Sequence, residues 1–260
     1  MEQIKFAVLP FAASRFGLVT WGMGGWMWGG TDEGDAIDTI HRALDLGINL
    51  IDTAPVYGFG QSEEIVGKAL EGRRDKVLIA TKAGLDWSGE GIVRNSARAR
   101  LRQELEDSLR RLKTDIVDVY QIHWPDEGTD FAETARTLEG LRREGKIRAI
   151  GVSNFSPEQM ERFKSEVPLA TVQPPYNLFE REIEDYVLPY AKAHHIVVLA
   201  YGALCRGLLT GKITADTTFK GDDLRNIDPK FKPDRRGQYL AAVDNLSALA
   251  KARFGKPVVA

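Results

Sequence analysis

Residues 48–58 read INLIDTAPVYG. An apolar, strand-like run ends on Asp52, and five residues later, past Pro55, stands Tyr57 followed by Gly58. A strand that is apolar almost throughout is one buried on both faces, as in a parallel sheet covered by helices. In parallel α/β folds the reactive groups sit where strands end and the following loops begin. A carboxylate and a phenol delivered to one such loop therefore mark it for chemistry.

Working outward, six more runs of the same kind occur at 17–21, 77–81, 116–123, 147–153, 169–173 and 196–201. Helical patterns separate them. Residues 35–46 place Ile37, Ile40, Ala43 and Leu44 on one face, and 96–112 carry a Leu101/Leu105/Leu109 stripe. Ser156, Pro157 and Glu158 form an N-cap, first-position and first-turn signal. Strands alternating with helices predict parallel βαβ units with right-handed crossovers. A (β/α)8 TIM barrel is the expected architecture, with a doubly wound open sheet second. The latter lacks support, because no GxGxxG follows the first strand. About seven βα units can be placed before the chain reaches KPVVA, so residues 1–260 are expected to form a single barrel domain lacking its last strand and helix. Gly255, Lys256 and Pro257 read as the start of a further helix, and 206–237 as the longest loop.

The 260 residues carry a formal charge of −2, which gives no strong field toward nucleic acid or membrane. One cysteine, Cys205, excludes an internal disulfide framework and a multi-cysteine zinc site. Neither a signal-peptide core nor an apolar run of about 18 residues is present. A cytoplasmic protein is the expectation, with its oligomeric state open.

The expected strand ends carry Trp21, Asp52, Lys82, His123, Ser153, Asn154, Gln173 and Tyr201, with Tyr57 added from the loop. Taken singly, each has an ordinary explanation: a capping Asp, a snorkelling Lys, a rim His, a packing Tyr. Their shared position at strand ends favours a site. Lys82 and Asp52 lie on neighbouring strands and can pair, since an unpaired buried ammonium is costly. The ammonium is expected to lower the pKa of Tyr57, and His123 to hydrogen-bond an incoming oxygen. Such a group suits protonation of a carbonyl oxygen as hydride reaches the carbon. No metal site is expected, because no His/Asp/Cys ligand cluster is evident, and neither paired glycosidase carboxylates nor a G-x-S-x-G elbow is present.

The motifs NLIDTAPVYGFGQSEEIVGKAL (49–70), LIATKAG (78–84), VDVYQIHWPD (117–126), GVSNFS (151–156) and LAYGALCRGLLTGK (199–212) resemble the aldo-keto reductase family, in the same order. GGWMWGGTD (24–32) and YGALCRGLL (201–209) are similar to bacterial members that reduce small aldehydes and ketones, polyol-type substrates included. The resemblance implies a barrel that binds NADPH without a Rossmann domain. It assigns a tetrad to Asp52, Tyr57, Lys82 and His123, with Tyr57 as proton donor. Ser153, Asn154 and Gln173 would hold the nicotinamide carboxamide, and Tyr201 would stack on its ring. Gly202, Ala203, Leu204, Cys205, Arg206, Gly207 and Leu208 would carry the pyrophosphate, with Arg206 and Lys212 adding positive charge. Thr20 and Trp21 would lie near nicotinamide and substrate, with Asp52 also lining the cofactor. Trp21, Tyr57, His123 and Trp124 would surround a small-molecule carbonyl substrate. The chain departs from the family pattern at Val19, where Gly is frequent, at Gly202–Ala203, where Ser-Pro is frequent, and in the expected last strand that grips the 2′-phosphate. NADPH and NADH both stay open on that account. A nucleotide-binding regulatory subunit with little turnover, or an inactive truncated barrel, are the other readings.

Overall fold

The run at 48–52 forms a strand in which Leu50, Ile51 and Asp52 are all buried. In chain order the strands are β1 (Gln3–Ile4), β2 (Ala13–Ser14), β3 (Gly17–Val19), β4 (Leu50–Asp52), β5 (Leu78–Ala83), β6 (Leu85–Asp86), β7 (Val93–Arg94), β8 (Val117–Ile122), β9 (Ile147–Ser153), β10 (Thr171–Gln173) and β11 (Val197–Val198). The helices are α1 (Glu33–Asp45), α2 (Gln61–Ala69), α3 (Arg98–Leu112), α4 (Phe131–Arg143), α5 (Pro157–Lys164), α6 (Val187–Ala193) and α7 (Pro233–Phe254). The structure, a computed structural model, describes every residue except Ala7, Ser88, Glu90, Val259 and Ala260. Among the described residues no helix is long and apolar enough to cross a membrane.

Two units can be distinguished. The first comprises Met1–Gly25, Thr31–Pro174 and Glu182–Leu199; the second comprises Trp26–Gly30, Pro175–Arg181 and the chain from Ala200 onward.

The first unit holds a seven-stranded parallel sheet in the order β11-β10-β9-β8-β5-β4-β3. All seven expected strands are present, though β11 is shorter than the run that announced it. Its curvature follows from one contact: Gln173 Nε2 of β10 donates to Asp52 Oδ2 of β4 at 2.7 Å. Those strands are four places apart in the sheet, about 19 Å if it were flat. The sheet must therefore curl until its ends approach, as in a barrel wall. Inside the curl space is tight. A Cβ at Gly151 of β9 would lie 2.0 Å from Thr171 Oγ1, so only glycine fits there. Leu50, Leu78, Ala80, Val119 and Ala149 pack with Phe6 and Ala13 of the N-terminal segment, which covers this part of the core.

The helices begin and end where local chemistry dictates. Asp32 caps α1 by accepting the Asp35 N–H, Asp130 caps α4, and Ser156 with Gln159 forms a full capping box on α5 with Pro157 behind it. The stripe of α3 is buried as expected, but Glu104 and Ser108 are buried along with it.

The second unit contains α7, a kinked 3₁₀ segment at Cys205–Thr210 and two single-turn 3₁₀ segments at Leu224–Asn226 and Pro229–Phe231. Cys205, Leu208, Leu209, Phe231 and Val243 form its core, with Phe179, Phe219 and Tyr239 packed against them. One expectation is corrected here: the 206–237 stretch is not one loop, since it holds these turns and the start of α7. Gly255 closes α7 in the left-handed conformation (φ 65°), the usual terminator, and the further helix expected from Pro257 falls on Val259 and Ala260, which lie outside the described residues.

Candidate active site

Asp52 is the last residue of β4 and pairs in register with Ala80 of β5. Side chains on one face of a strand recur every second residue, so Lys82 stands on the same face as Ala80, one step further toward the strand end. Both Asp52 and Lys82 are buried, at 5% and 1% exposure. Lys82 Nζ lies 2.6 Å from Asp52 Oδ1, 3.0 Å from Thr53 O and 3.1 Å from Tyr57 Oη. An ammonium has three N–H donors, and each has an acceptor.

Tyr57 reaches this point on the turn after Pro55, where its N–H donates to Ala54 O. Two glycines hold the turn. A Cβ on Gly24 would lie 2.5 Å from the Tyr57 carbonyl carbon, and one on Gly58 (φ 66°) would lie 2.1 Å from Gly24 O. The phenol ring stacks on Trp21 at 5.9 Å and meets the His123 ring edge-on at 5.8 Å. Below it, the Thr20, Thr53 and Ser62 hydroxyls form a buried hydrogen-bonded trio. Thr20 ties in through its N–H and Oγ1, both bonded to Asp52 O. Val19, where a glycine was expected, is accommodated in β3 with its side chain exposed.

Electrostatics follow from this burial. Burial disfavours the Lys82 ammonium, but the Asp52 carboxylate and the Tyr57 oxygen outweigh it, and the pKa is raised. Burial also raises the Tyr57 pKa, with Lys82 recovering only part of the shift. This corrects the expectation of an acidified phenol, because desolvation wins over the ammonium in the resting protein. Burial, and then Lys82, hold His123 well below the ordinary histidine range. At neutral pH the site thus contains a charged lysine, a protonated phenol and a neutral imidazole.

Around the tetrad, Ser153 Oγ donates to Gln173 O, and Asn154 Nδ2 donates to His123 O and Ser153 Oγ. Asn154 adopts a left-handed backbone (φ 62°). The Gln173 amide bonded to Asp52 is a link that the sequence pattern does not reveal. The first unit therefore gathers Thr20, Trp21, Asp52, Tyr57, Lys82, His123, Ser153, Asn154 and Gln173. Trp124 is half-exposed, with the Arg94 guanidinium over its ring at 5.4 Å.

The remaining residues singled out from the sequence lie in the second unit. Tyr201 O accepts the Tyr176 N–H, and Gly202 O accepts from Cys205 N and Asn177 Nδ2. Gly202, Cys205, Arg206 and Gly207 all have left-handed backbones. Leu204, at φ −91° and ψ 9°, precedes Cys205 at φ 48°. The segment closes on itself through this alternation, with Cys205 N–H bonded to Gly202 O and Gly207 N–H to Leu204 O. A side chain at Gly202 would meet open space. The expectation that Arg206 offers spare positive charge is corrected, because its guanidinium is paired with the buried Asp228. Lys212 is exposed. Burial raises the Cys205 thiol to about 11, so it is neutral.

A model of the aldo/keto reductase family matches residues 20–258. Over its whole length the chain is 59% identical to "Aldo-keto reductase YhdN" of Bacillus subtilis, covering 79% of that protein. It is 40% identical to the "NADH-specific methylglyoxal reductase" of Escherichia coli over 83% of this chain and 71% of that one. Among solved structures it is similar to the glycerol dehydrogenase AKR11B4 from Gluconobacter oxydans, with 58% identity and a TM-score of 0.90, over 98% of this chain and 80% of that one.

Proposed function

The chain belongs to the aldo/keto reductase family, whose members are oxidoreductases of (β/α)8-barrel fold using NAD(P)H, and from that premise we propose that it reduces small aldehydes and ketones to alcohols with Tyr57 as the proton donor. One observation carries the reading: Lys82 Nζ touches Asp52 and the Tyr57 oxygen at once.

When bound, the cofactor supplies the hydride. The chain's own residues handle the oxygen. Tyr57 enters protonated, because burial raises its pKa, and gives its proton to the carbonyl oxygen. Negative charge then grows on the phenol oxygen, 3.1 Å from the Lys82 ammonium. The ammonium thus acts more strongly on the transition state than on the resting phenol, which is the condition for catalysis. Asp52 keeps Lys82 charged, and neutral His123 is placed to hydrogen-bond the substrate oxygen. General-acid catalysis of this kind is worth roughly 10²–10⁴-fold. Trp21 and Trp124 supply apolar surface for a small substrate.

On the cofactor side, Thr20, Trp21, Asp52, Ser153, Asn154 and Gln173 are assigned to the nicotinamide end. Tyr201 and residues 202–208 of the second unit are assigned to the ring and the pyrophosphate. NADPH is the proposed hydride source, on the family resemblance. The NADH-specific name of one relative makes direct comparison with NADH part of the test. The names of two relatives, a methylglyoxal reductase and a glycerol dehydrogenase, favour short polar carbonyls and their polyol counterparts.

The test follows the absorbance of NADPH, and separately of NADH, with methylglyoxal, glyceraldehyde and dihydroxyacetone. Turnover is expected in the wild type, with Tyr57→Phe slowed by at least about 100-fold. Absence of turnover with every pairing overturns the reading. Full activity in Tyr57→Phe overturns the role of that residue alone.

A further inference from the structure

Behind the tetrad lies a buried carboxylate with no part in the reaction just described. Glu104 of α3 is 2% exposed. Its Oε2 accepts the Gly84 N–H at 2.9 Å, and its Oε1 lies 3.4 Å from Arg100 Nη2. Arg100 Nη2 in turn donates to Leu85 O at 2.9 Å, and Arg100 Nη1 lies 3.7 Å from Asp86. One turn of α3 therefore grips both sides of the bend where β5 leaves the sheet.

The held peptide group is a particular one. The N–H of Gly84 and the C=O of Ala83 belong to a single peptide plane, and Ala83 O accepts the His123 N–H at 2.8 Å. That plane thus has Glu104 on one side and the His123 backbone on the other. Lys82 is the residue before Ala83, so its backbone enters the same bend. Gly84 itself has φ +90°, a conformation open to glycine and strained for other residues.

We propose that Glu104 is a positioning residue: its carboxylate fixes the Ala83–Gly84 peptide, and through that peptide sets the relative placement of Lys82 and His123. The inference rests on the tetrad reading given above. A charged acceptor holds an N–H roughly twice as strongly as a neutral one, so the grip depends on ionisation of Glu104. Burial pushes the Glu104 carboxyl up to about 7. The groups facing it are Arg100 and Arg111 on its own helix, Glu63 on α2 and Tyr120 on β8. The two arginines favour the carboxylate; Glu63 and burial oppose it. Tyr57 is shifted up and His123 far down, so neither titrates between pH 6 and 8.5. The carboxyl of Glu104 does.

Two measurements test this on the full chain. In a ¹⁵N-glycine-labelled sample, the Gly84 amide should shift with pH along a single-proton curve centred near 7 in the wild type, and show no such curve in Glu104→Gln. In steady-state kinetics at saturating substrate and cofactor, wild-type kcat should fall about tenfold from pH 8.5 to pH 6, on the scale of a sub-ångström misplacement. Glu104→Gln should stay near the low value at both ends. A Gly84 amide that does not titrate, or a kinetic step that survives in Glu104→Gln, overturns the proposal. If the wild type turns over no carbonyl at any pH, the reductase reading fails instead, and the Gly84 titration still decides whether Glu104 holds the bend.

Discussion

At the residue scale, the ammonium of Lys82 is what the site is built around, and its three contacts make separate claims. Lys82→Met should abolish turnover. It should also cost roughly 3–5 kcal/mol of stability, because Asp52 is left as a buried charge without its cation. Adding Asp52→Asn should restore much of that stability and none of the activity. Urea unfolding of the single and double variants, beside their kcat, checks both statements; a double variant no more stable than Lys82→Met counts against the pairing as drawn. The tetrad was legible in the sequence because Asp52, Lys82 and His123 stand at the ends of recognisable apolar runs. The direction of the Tyr57 shift was not. It depends on how fully Trp21, His123 and the curled sheet exclude water from the phenol, and no spacing rule conveys that. The Gln173 bond to Asp52 was hidden for the same reason, since it joins strands remote in sequence.

At the element scale, α3 places a titratable group on a buried face made mostly of leucines. Glu104 follows the Leu101/Leu105/Leu109 stripe into the interior, and a carboxylate on that stripe was the available signal for it. Its folded pKa stands at about 7, against an ordinary glutamate value of 4.5. A carboxyl raised on folding stabilises the native state below its unfolded pKa, and the contribution is lost as pH rises through the folded value. A difference of about 2.5 units corresponds to about 3 kcal/mol. Glu104→Gln should therefore gain about that much relative to wild type between pH 4.5 and pH 8. Parallel denaturant titrations at the two pH values read it directly; equal pH dependence in both proteins would show that the carboxyl is not raised. The strands were legible as elements because the central ones, β4, β5, β8, β9 and β10, are buried almost throughout. Helix α7 was not, because Val243 is its one fully buried residue and the side chains beside it in the core, Tyr239, Leu240 and Leu246, are only partly buried. Pro233 and Gly237 near its start also read as loop.

At the scale of the whole molecule, the parallel order of the sheet was legible from alternating strand and helix patterns. The division into two units was not, because the second gathers 26–30, 175–181 and the chain from 200 onward, segments far apart in sequence. The same remoteness governs how the protein acquires its activity. The bond between Gln173 and Asp52 closes a loop of 121 residues. Contacts of such separation carry a large entropic cost before they are rewarded, and they form late. Local helices such as α3 and α5 have no such delay. On refolding from denaturant, helical circular dichroism should recover first and NADPH-dependent turnover only with the slowest phase. Stopped-flow ellipticity against delayed-mixing activity assays measures the lag; simultaneous recovery would mean that helices and curl form together. If Asp52 acts as proposed, its tie to a strand 121 residues away makes turnover a report on completed folding.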